Sequence, residues 1–267
     1  RIFEHGDMDQ PEIAFNNFVG HAKTANLLLN DSSLPQINAS KGDLSVIELG
    51  PGDSLFTGVI AKTLGASRSV MVDVGAYATT DITAYLQLIN FLREKGYSPP
   101  SVNPSDTLKE ILDVCNSEYL TYGVESLNHL ADCSIDFCFS NAVLEHVPNG
   151  EFQELMNESK RVLKPDGVCV HRVDFKDHLE DGLNNLRFTE AIWEGEWFKK
   201  SGFYTNRIRY SSMMEIFKKT GFEVKSPRVI RWSSLPIKRT KLADEFRDLP
   251  EEDLLVSGAD FVLHHLK

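Results

Sequence analysis

Two clusters of residues in this chain have types and spacings that can do chemistry. The first is Glu48-Leu49-Gly50-Pro51-Gly52-Asp53-Ser54, a glycine loop flanked by acids. Glycines let a ligand approach the backbone closely. A loop that gripped a pyrophosphate would present bare amides and a positive helix end. Here Glu48 and Asp53 place negative charge instead, and Leu55 stands where G-x-G-x-x-G has its third glycine. That chemistry suits a ligand with ammonium and sulfonium groups and no phosphate. Asp73 lies 21 residues after Gly52, near the roughly 20-residue spacing at which an acid reaches a ribose diol. Alone, Asp73 could cap a helix. Behind the glycine loop it reads as the ribose acceptor, with Val74 beside it.

The second cluster is His171-Arg172-Val173-Asp174-Phe175-Lys176-Asp177-His178. A hydroxyl is a poor nucleophile until it loses its proton, so a nearby base helps it attack. Histidine titrates near working pH, which makes His178 with an aspartate partner the first choice of base. His171 and Asp174 are the alternatives. His171 also reads as a core residue inside a strand, and Asp174 as a turn cap. The residue types could bind a metal, but H-x-x-D-x-x-x-H is not a standard ligand spacing, and no metal is expected.

Elements that would position these clusters alternate along the chain. Residues 44–49, 69–74, 119–124, 134–140 and 167–175 read as strands, the first, second and fourth as apolar runs. Helical spacing covers 54–64, 80–95, 107–115 and 151–163. Lys164-Pro165-Asp166-Gly167 reads as a turn. This order predicts a mostly parallel sheet with helices on both faces. Ligands bind beyond the carboxyl ends of such strands, so the segment after the fifth strand should face the second substrate. The alternation then breaks over 176–209, a polar and aromatic stretch with Trp193, Trp197, Phe198 and Tyr204. A helix is expected over 211–220 and strands over 222–232 and 260–266, paired as an antiparallel edge hairpin. Residues 16–29 read as a helix ahead of the first strand, with Phe18 and His21 as packing residues.

Composition narrows the partners. Lys plus Arg number 28 and Asp plus Glu 39, a formal charge of −11, which argues against a nucleic-acid partner. Hydrophobic residues make up 42%, enough for a substantial core. No window approaches the ~18 apolar residues of a membrane span. Cys115, Cys133, Cys138 and Cys169 form no C-x-x-C pair, so reduced thiols and a cytoplasmic setting are expected. The first residue is Arg1, so the chain reads as trimmed or as part of a longer one.

Four motifs resemble those of class I S-adenosylmethionine-dependent methyltransferases, in family order and over about residues 44–175. Glu48-Leu49-Gly50-Pro51-Gly52 resembles the first motif and Asp73 the second-strand acid. Asp136 through Val147 resembles the fourth strand and its following loop. Leu163-Lys164-Pro165-Asp166-Gly167 resembles the turn before the fifth strand. The resemblance implies an α/β, Rossmann-like, doubly wound, seven-stranded and mostly parallel sheet of order 3-2-1-4-5-7-6. It would carry an antiparallel edge strand and a helical, aromatic insertion after strand 5. It also implies that Glu48, Gly50, Gly52, Asp53 and Ser54 line the methionine end of S-adenosylmethionine. Glu125 and Ser126 would flank the adenine, and Ser140, Asn141 and Ala142 would pass the methionine moiety. His146 would face the cofactor or begin the next helix.

The resulting expectation is a methyl transfer, with residues 1–43 a helical cap, 44–267 the methyltransferase domain and 176–210 a substrate-side insertion. Arg187, Arg207, Arg209 and Tyr210 are candidates to hold an acidic acceptor, or to form salt bridges. The aromatics of the insertion would form a lid or the core of a small cap. Residues 186–210 resemble a bacterial branch tied to surface-polysaccharide or small-metabolite chemistry. O-methylation of a sugar, glycan or small acidic metabolite is the first reading. The alternatives are N- or C-methylation, a protein substrate, or a non-catalytic cofactor-binding domain. The sequence leaves the oligomeric state open.

Overall fold

The computed structural model describes residues 8–29, 34–38 and 43–266. Seven strands form one sheet in the order β3-β2-β1-β4-β5-β7-β6, as the family resemblance implies. The strands are β1 (Ser45–Leu49), β2 (Arg68–Val72), β3 (Ser117–Leu120), β4 (Ile135–Asn141), β5 (Leu163–Asp174), β6 (Phe222–Arg231) and β7 (Val256–His265). β1 pairs in parallel with β2 and β4, and β2 in parallel with β3. β6 and β7 are antiparallel. This is the Rossmann-like α/β architecture.

Local chemistry explains the helix ends. α1 (Pro11–Thr24) starts on a proline, whose missing N–H costs nothing in a first turn. α2 (Phe56–Leu64) stops at Gly65, with φ of 106° in the left-handed region. α3 (Ile82–Glu94) is capped by the Asp81 side chain, which accepts from the Thr83 amide at 2.9 Å. Thr107 and Glu110 cap α4 (Leu108–Val114) reciprocally. α5 (Asn149–Val162) follows β4.

Several boundaries differ from the sequence expectation. The first helix runs over 11–24 rather than 16–29, because Asn26 turns left-handed at φ 55° and Leu28 bridges to Ile37. β3 begins at Ser117, not 119, after Asn116 turns at φ 52°, and a 3-10 turn, Gly123–His129, replaces its expected end. Residues 164–167 lie within β5 instead of forming a free turn. The Ser134 amide donates to the Val162 carbonyl, and Lys164 pairs with Asp136 at 2.7 Å, which draws this stretch alongside β4. Gly167 still closes tightly there: a Cβ would meet the Leu163 side chain at 2.8 Å. β7 starts four residues early, where Val256 pairs with Arg231.

Among the described residues, contacts divide the chain into two compact units. The first is built on residues up to Asn141 together with Glu158–Val170. Its core includes Phe137 and Phe139, stacked 5.3 Å apart, with Phe18 edge-on to both and His21 against Phe139. Phe18 and His21 therefore pack as the sequence suggests.

The second unit is built on Ala142–Asn157 and the chain from His171 onward. It contains the short helices α6 (Glu190–Trp193) and α7 (Glu196–Lys199), then α8 (Tyr210–Thr220), α9 (Asp244–Arg247) and α10 (Glu251–Leu254). Phe217, Phe261, Tyr210 and Phe175 pack together in it. β6 carries Lys225, Pro227, Arg228 and Arg231, and its pairing shifts register between Lys225 and Arg228.

Candidate active site

Sheet register assembles the first cluster. Leu49 is level with Val72 on one side and Ser140 on the other, and Val72 is level with Leu120. Gly50, Asp73 and Asn141 therefore lie level at the carboxyl ends of β1, β2 and β4. Gly50 and Gly52 turn at φ 68° and 70°, a region that favours glycine. The space around a Cβ at Gly52 is open to 4 Å, so backbone conformation, not crowding, demands glycine there.

The loop is braced from several directions. The Gly50 amide donates to the Val72 carbonyl at 2.8 Å, and the Thr79 amide to the Asp53 carbonyl at 2.7 Å. The Tyr85 hydroxyl accepts from the Leu55 amide and donates to the Thr79 carbonyl, both at 3.2 Å. Leu55, at the absent third glycine, is fully buried. Ser54 is buried too, and its hydroxyl donates to the Met8 carbonyl at 2.5 Å. Its side chain braces the loop rather than offering itself to a ligand.

Asp73 stands half-buried at the end of β2, where its Oδ1 accepts from the Val74 amide at 2.7 Å. Val74 is exposed, and Gly123 leaves room for it: a Cβ there would meet Val74 Cγ1 at 3.2 Å. Glu125 is exposed on the 3-10 turn, whereas Ser126 is buried and accepts from the Tyr122 amide at 3.0 Å. Tyr122 itself is 74% exposed, two residues past the end of β3. Tyr119 donates to the Gly75 carbonyl at 2.8 Å and so holds the loop after β2. The sequence expectation missed Tyr85, Tyr119 and Tyr122. Tyr119 and Tyr122 lie beside the end of β3, which was the available signal for them; Tyr85 lies within α3 and gave no such signal.

The second unit carries the other cluster. Ala142 turns at φ 54°, and its amide donates to the Arg172 carbonyl at 2.9 Å. His146 ends the short 3-10 turn Leu144–His146, ahead of α5. Asn206 clips that turn, donating to the Leu144 and Val147 carbonyls at 2.7 and 2.9 Å. His146 Nδ1 lies 3.0 Å from the Tyr204 carbonyl. Its Nε2 lies 3.2 Å from Nε2 of His178, with ring planes 6° apart. Both imidazoles are exposed.

The expected aspartate partner of His178 is thus replaced by a histidine. Asp174 accepts from the Lys176 amide at 2.9 Å and faces its ammonium at 3.4 Å. Asp177, the other aspartate of the cluster, is fully buried. It accepts from the Leu179, Glu180 and Asn184 amides and folds the loop that carries His178. His171 is fully buried within β5. Glu145 is buried as well, and burial pushes its carboxyl up to about 8, against hydrogen bonds from its own and the Asp174 amides.

The arginines part company. Arg187 is exposed. Arg207 is mostly buried, donates to the Phe188 carbonyl at 2.7 Å and lies over Phe246. Arg209 is 3% exposed and donates to the carbonyls of Phe175, Asp253, Leu254 and Val256. Tyr210 packs on Phe261 at 5.5 Å. Arg207, Arg209 and Tyr210 hold the unit together and do not present a fork to an acceptor. The aromatic insertion is a small core: Trp193 is fully buried, donates to the Thr205 carbonyl at 2.7 Å and stacks on Phe198 at 4.5 Å. Trp197 remains 70% exposed.

Residues 47–171 match the family described as "Methyltransferase domain". This chain carries a class I S-adenosylmethionine-dependent methyltransferase domain. The methyltransferase is similar in fold to the YcgJ protein of Bacillus subtilis, at 15% identity and a TM-score of 0.51, covering 96% of this chain and 100% of that one. A methyltransferase of Methanosarcina mazei aligns at 16% identity and 0.49, over 84% and 94% of the two chains. One from Archaeoglobus fulgidus aligns at 13% and 0.45, over 95% and 93%. No curated protein matches the sequence significantly. No described helix of the methyltransferase is long and apolar enough to cross a membrane.

Glu48 and Asp53 give this corner negative charge, which suits a cationic ligand. Burial pushes the Glu48 carboxyl up to about 7; the Thr57 hydroxyl opposes the rise and the Asp73 charge adds to it. A bound cation favours the ionised form, so binding must lower this pKa and release protons. Affinity for S-adenosylmethionine is expected to be full above about pH 7 and to fall as pH drops below it, by at most about tenfold per unit. Calorimetry in buffers of different ionisation enthalpy, at about pH 6 and about pH 8, checks both the affinity and the proton release. Glu48→Gln should flatten the dependence. In the ligand-free protein the sign reverses. The raised pKa makes Glu48's contribution to stability greatest below pH 4.5, and it is lost as pH rises through about 7.

Proposed function

We propose that this enzyme methylates a hydroxyl of a small polar molecule or a glycan, with His178 as general base. The exposed His146–His178 pair on the loops after β4 and β5 carries the reading. S-adenosylmethionine supplies an electrophilic methyl carbon bonded to a sulfonium. Glu48, Gly50, Gly52 and Asp53 would hold its methionine end, with Ser140 and Asn141 passing by. Asp73 would accept from the ribose hydroxyls, and Val74 and Glu125 would border the adenine. Glu48 and Asp53 supply the negative charge that an ammonium and a sulfonium require.

His178 suits the base role because its ring is exposed while its loop is pinned by a buried carboxylate, Asp177. A positioned base of this kind contributes about 10²–10⁴-fold to rate. The exposed Trp197 offers an apolar face of the sort that stacks on sugars, and Arg187 remains available to an acidic substituent.

A methyl-label screen against saccharides and small acidic metabolites tests the reading. The expected product carries its label on oxygen. Its kcat should have an ascending limb with pH, and His178→Gln should lower that limb at least about 100-fold. A label found on nitrogen or carbon, or a His178→Gln enzyme of undiminished rate, overturns the proposal.

A further inference from the structure

We propose that His146 is a positioning residue that fixes which nitrogen of His178 is free to act. The inference rests on His178 being the base, and it follows from hydrogen-bond bookkeeping that starts at a main-chain carbonyl. The Tyr204 carbonyl only accepts, and His146 Nδ1 lies 3.0 Å from it. His146 Nδ1 therefore carries the hydrogen, and in the neutral ring Nε2 is a bare lone pair. His178 Nε2 faces that lone pair at 3.2 Å. Two bare nitrogens would repel, so His178 Nε2 carries a hydrogen and donates. What remains is His178 Nδ1, a lone pair ready to accept a proton.

Each link in this chain is held separately. Asn206 donates to the Leu144 and Val147 carbonyls, and its own amide donates to the Glu145 carbonyl at 2.7 Å. It thus ties the turn bearing His146 to the segment bearing the Tyr204 carbonyl. The Tyr204 hydroxyl donates to the Glu194 carboxylate at 3.1 and 3.2 Å.

The arrangement survives a proton transfer without rearranging. When a hydroxyl O–H bond breaks and an Nδ1–H bond forms on His178, the O–H electron pair stays on oxygen. His178 becomes an imidazolium and still donates through Nε2 to His146. A second proton on the pair would set two donors against each other, so the geometry accepts one proton and opposes two.

Imidazole nitrogen NMR on the full chain, labelled with ¹⁵N-histidine and dialysed against EDTA at alkaline pH, tests this without an acceptor. The expected spectrum shows His146 protonated at Nδ1, the rarer form in free histidine, and His178 protonated at Nε2. A through-hydrogen-bond ¹⁵N–¹⁵N coupling should join the two Nε2 atoms. In His146→Leu the His178 Nε2–H should exchange with solvent at least tenfold faster. In His146→Gln, whose amide oxygen can accept the same hydrogen, the protection should return. His178 protonated at Nδ1, or absence of the coupling in the unsubstituted protein, overturns the proposal even where a variant fails to fold. Zinc retained before EDTA treatment with both Nε2 atoms bare would also overturn it. The base reading fails separately: a His178→Gln enzyme at full turnover removes the base and leaves the spectrum as expected.

Discussion

Asp73→Ala is expected to weaken S-adenosylmethionine binding by about 30- to 300-fold. The carboxylate stands half-buried at the end of β2, level with the glycine loop through the β1–β2 register. Two ribose hydroxyls donating to a carboxylate make charge-assisted bonds, each of order 1.5–3 kcal/mol. Removing the group also leaves those hydroxyls facing a vacated site. A net loss of about 2–3.5 kcal/mol corresponds to that range, at tenfold per 1.4 kcal/mol. Asp73→Asn keeps one acceptor oxygen and its local bond to the Val74 amide, so about tenfold is expected. Calorimetric titration decides the matter. An alanine variant that binds within threefold of the unsubstituted protein would exclude Asp73 from the ribose role.

Arg209→Met is expected to destabilise the protein by about 3–5 kcal/mol. The guanidinium is 3% exposed and serves four main-chain carbonyls at 2.6–3.3 Å. Burial lowers its pKa to about 10, with the Asp253 charge opposing, yet it stays charged at neutral pH. Methionine fills part of the volume and leaves the carbonyls without a donor. Each orphaned acceptor costs about 1–3 kcal/mol, partly relieved by water. For a chain of this size the Tm should fall by roughly 5–9 °C. Thermal and urea unfolding check the figure. An Arg209→Met protein of unchanged Tm that lost only turnover would restore Arg209 to the acceptor side.

Arg209 also shows where sequence reading stops. An arginine in an acidic region looks the same whether it meets a substrate or a carbonyl. Its partners are 34 to 47 residues away along the chain. His178 has the same difficulty, since His146 lies 32 residues off. Asp174 and Asp177 differ by three positions, and Asp177 is the buried one, with its loop closed onto it by the Leu179, Glu180 and Asn184 amides. The glycine loop and Asp73 were legible because they depend on local runs, turn residues and spacing, whereas the strand order was implied by the family resemblance. Boundaries slipped where single residues turned left-handed, as at Asn26 and Asn116. Ser54 and Ser126 lie in the expected motifs, yet their hydroxyls serve the backbone, a choice set by burial that no motif records.

The two outer strands of the sheet bear on how the protein behaves at high concentration. β3 is four residues long, and β6 interrupts its ladder with a register shift beside Pro227 and places Lys225, Arg228 and Arg231 along its length. Short length, proline, irregular pairing and positive charge are the devices that stop an open strand from templating another copy. Aggregation by edge-to-edge strand addition is therefore disfavoured at both margins. Replacing Pro227 and the neighbouring cations with β-branched residues would convert a quiet border into an adhesive one.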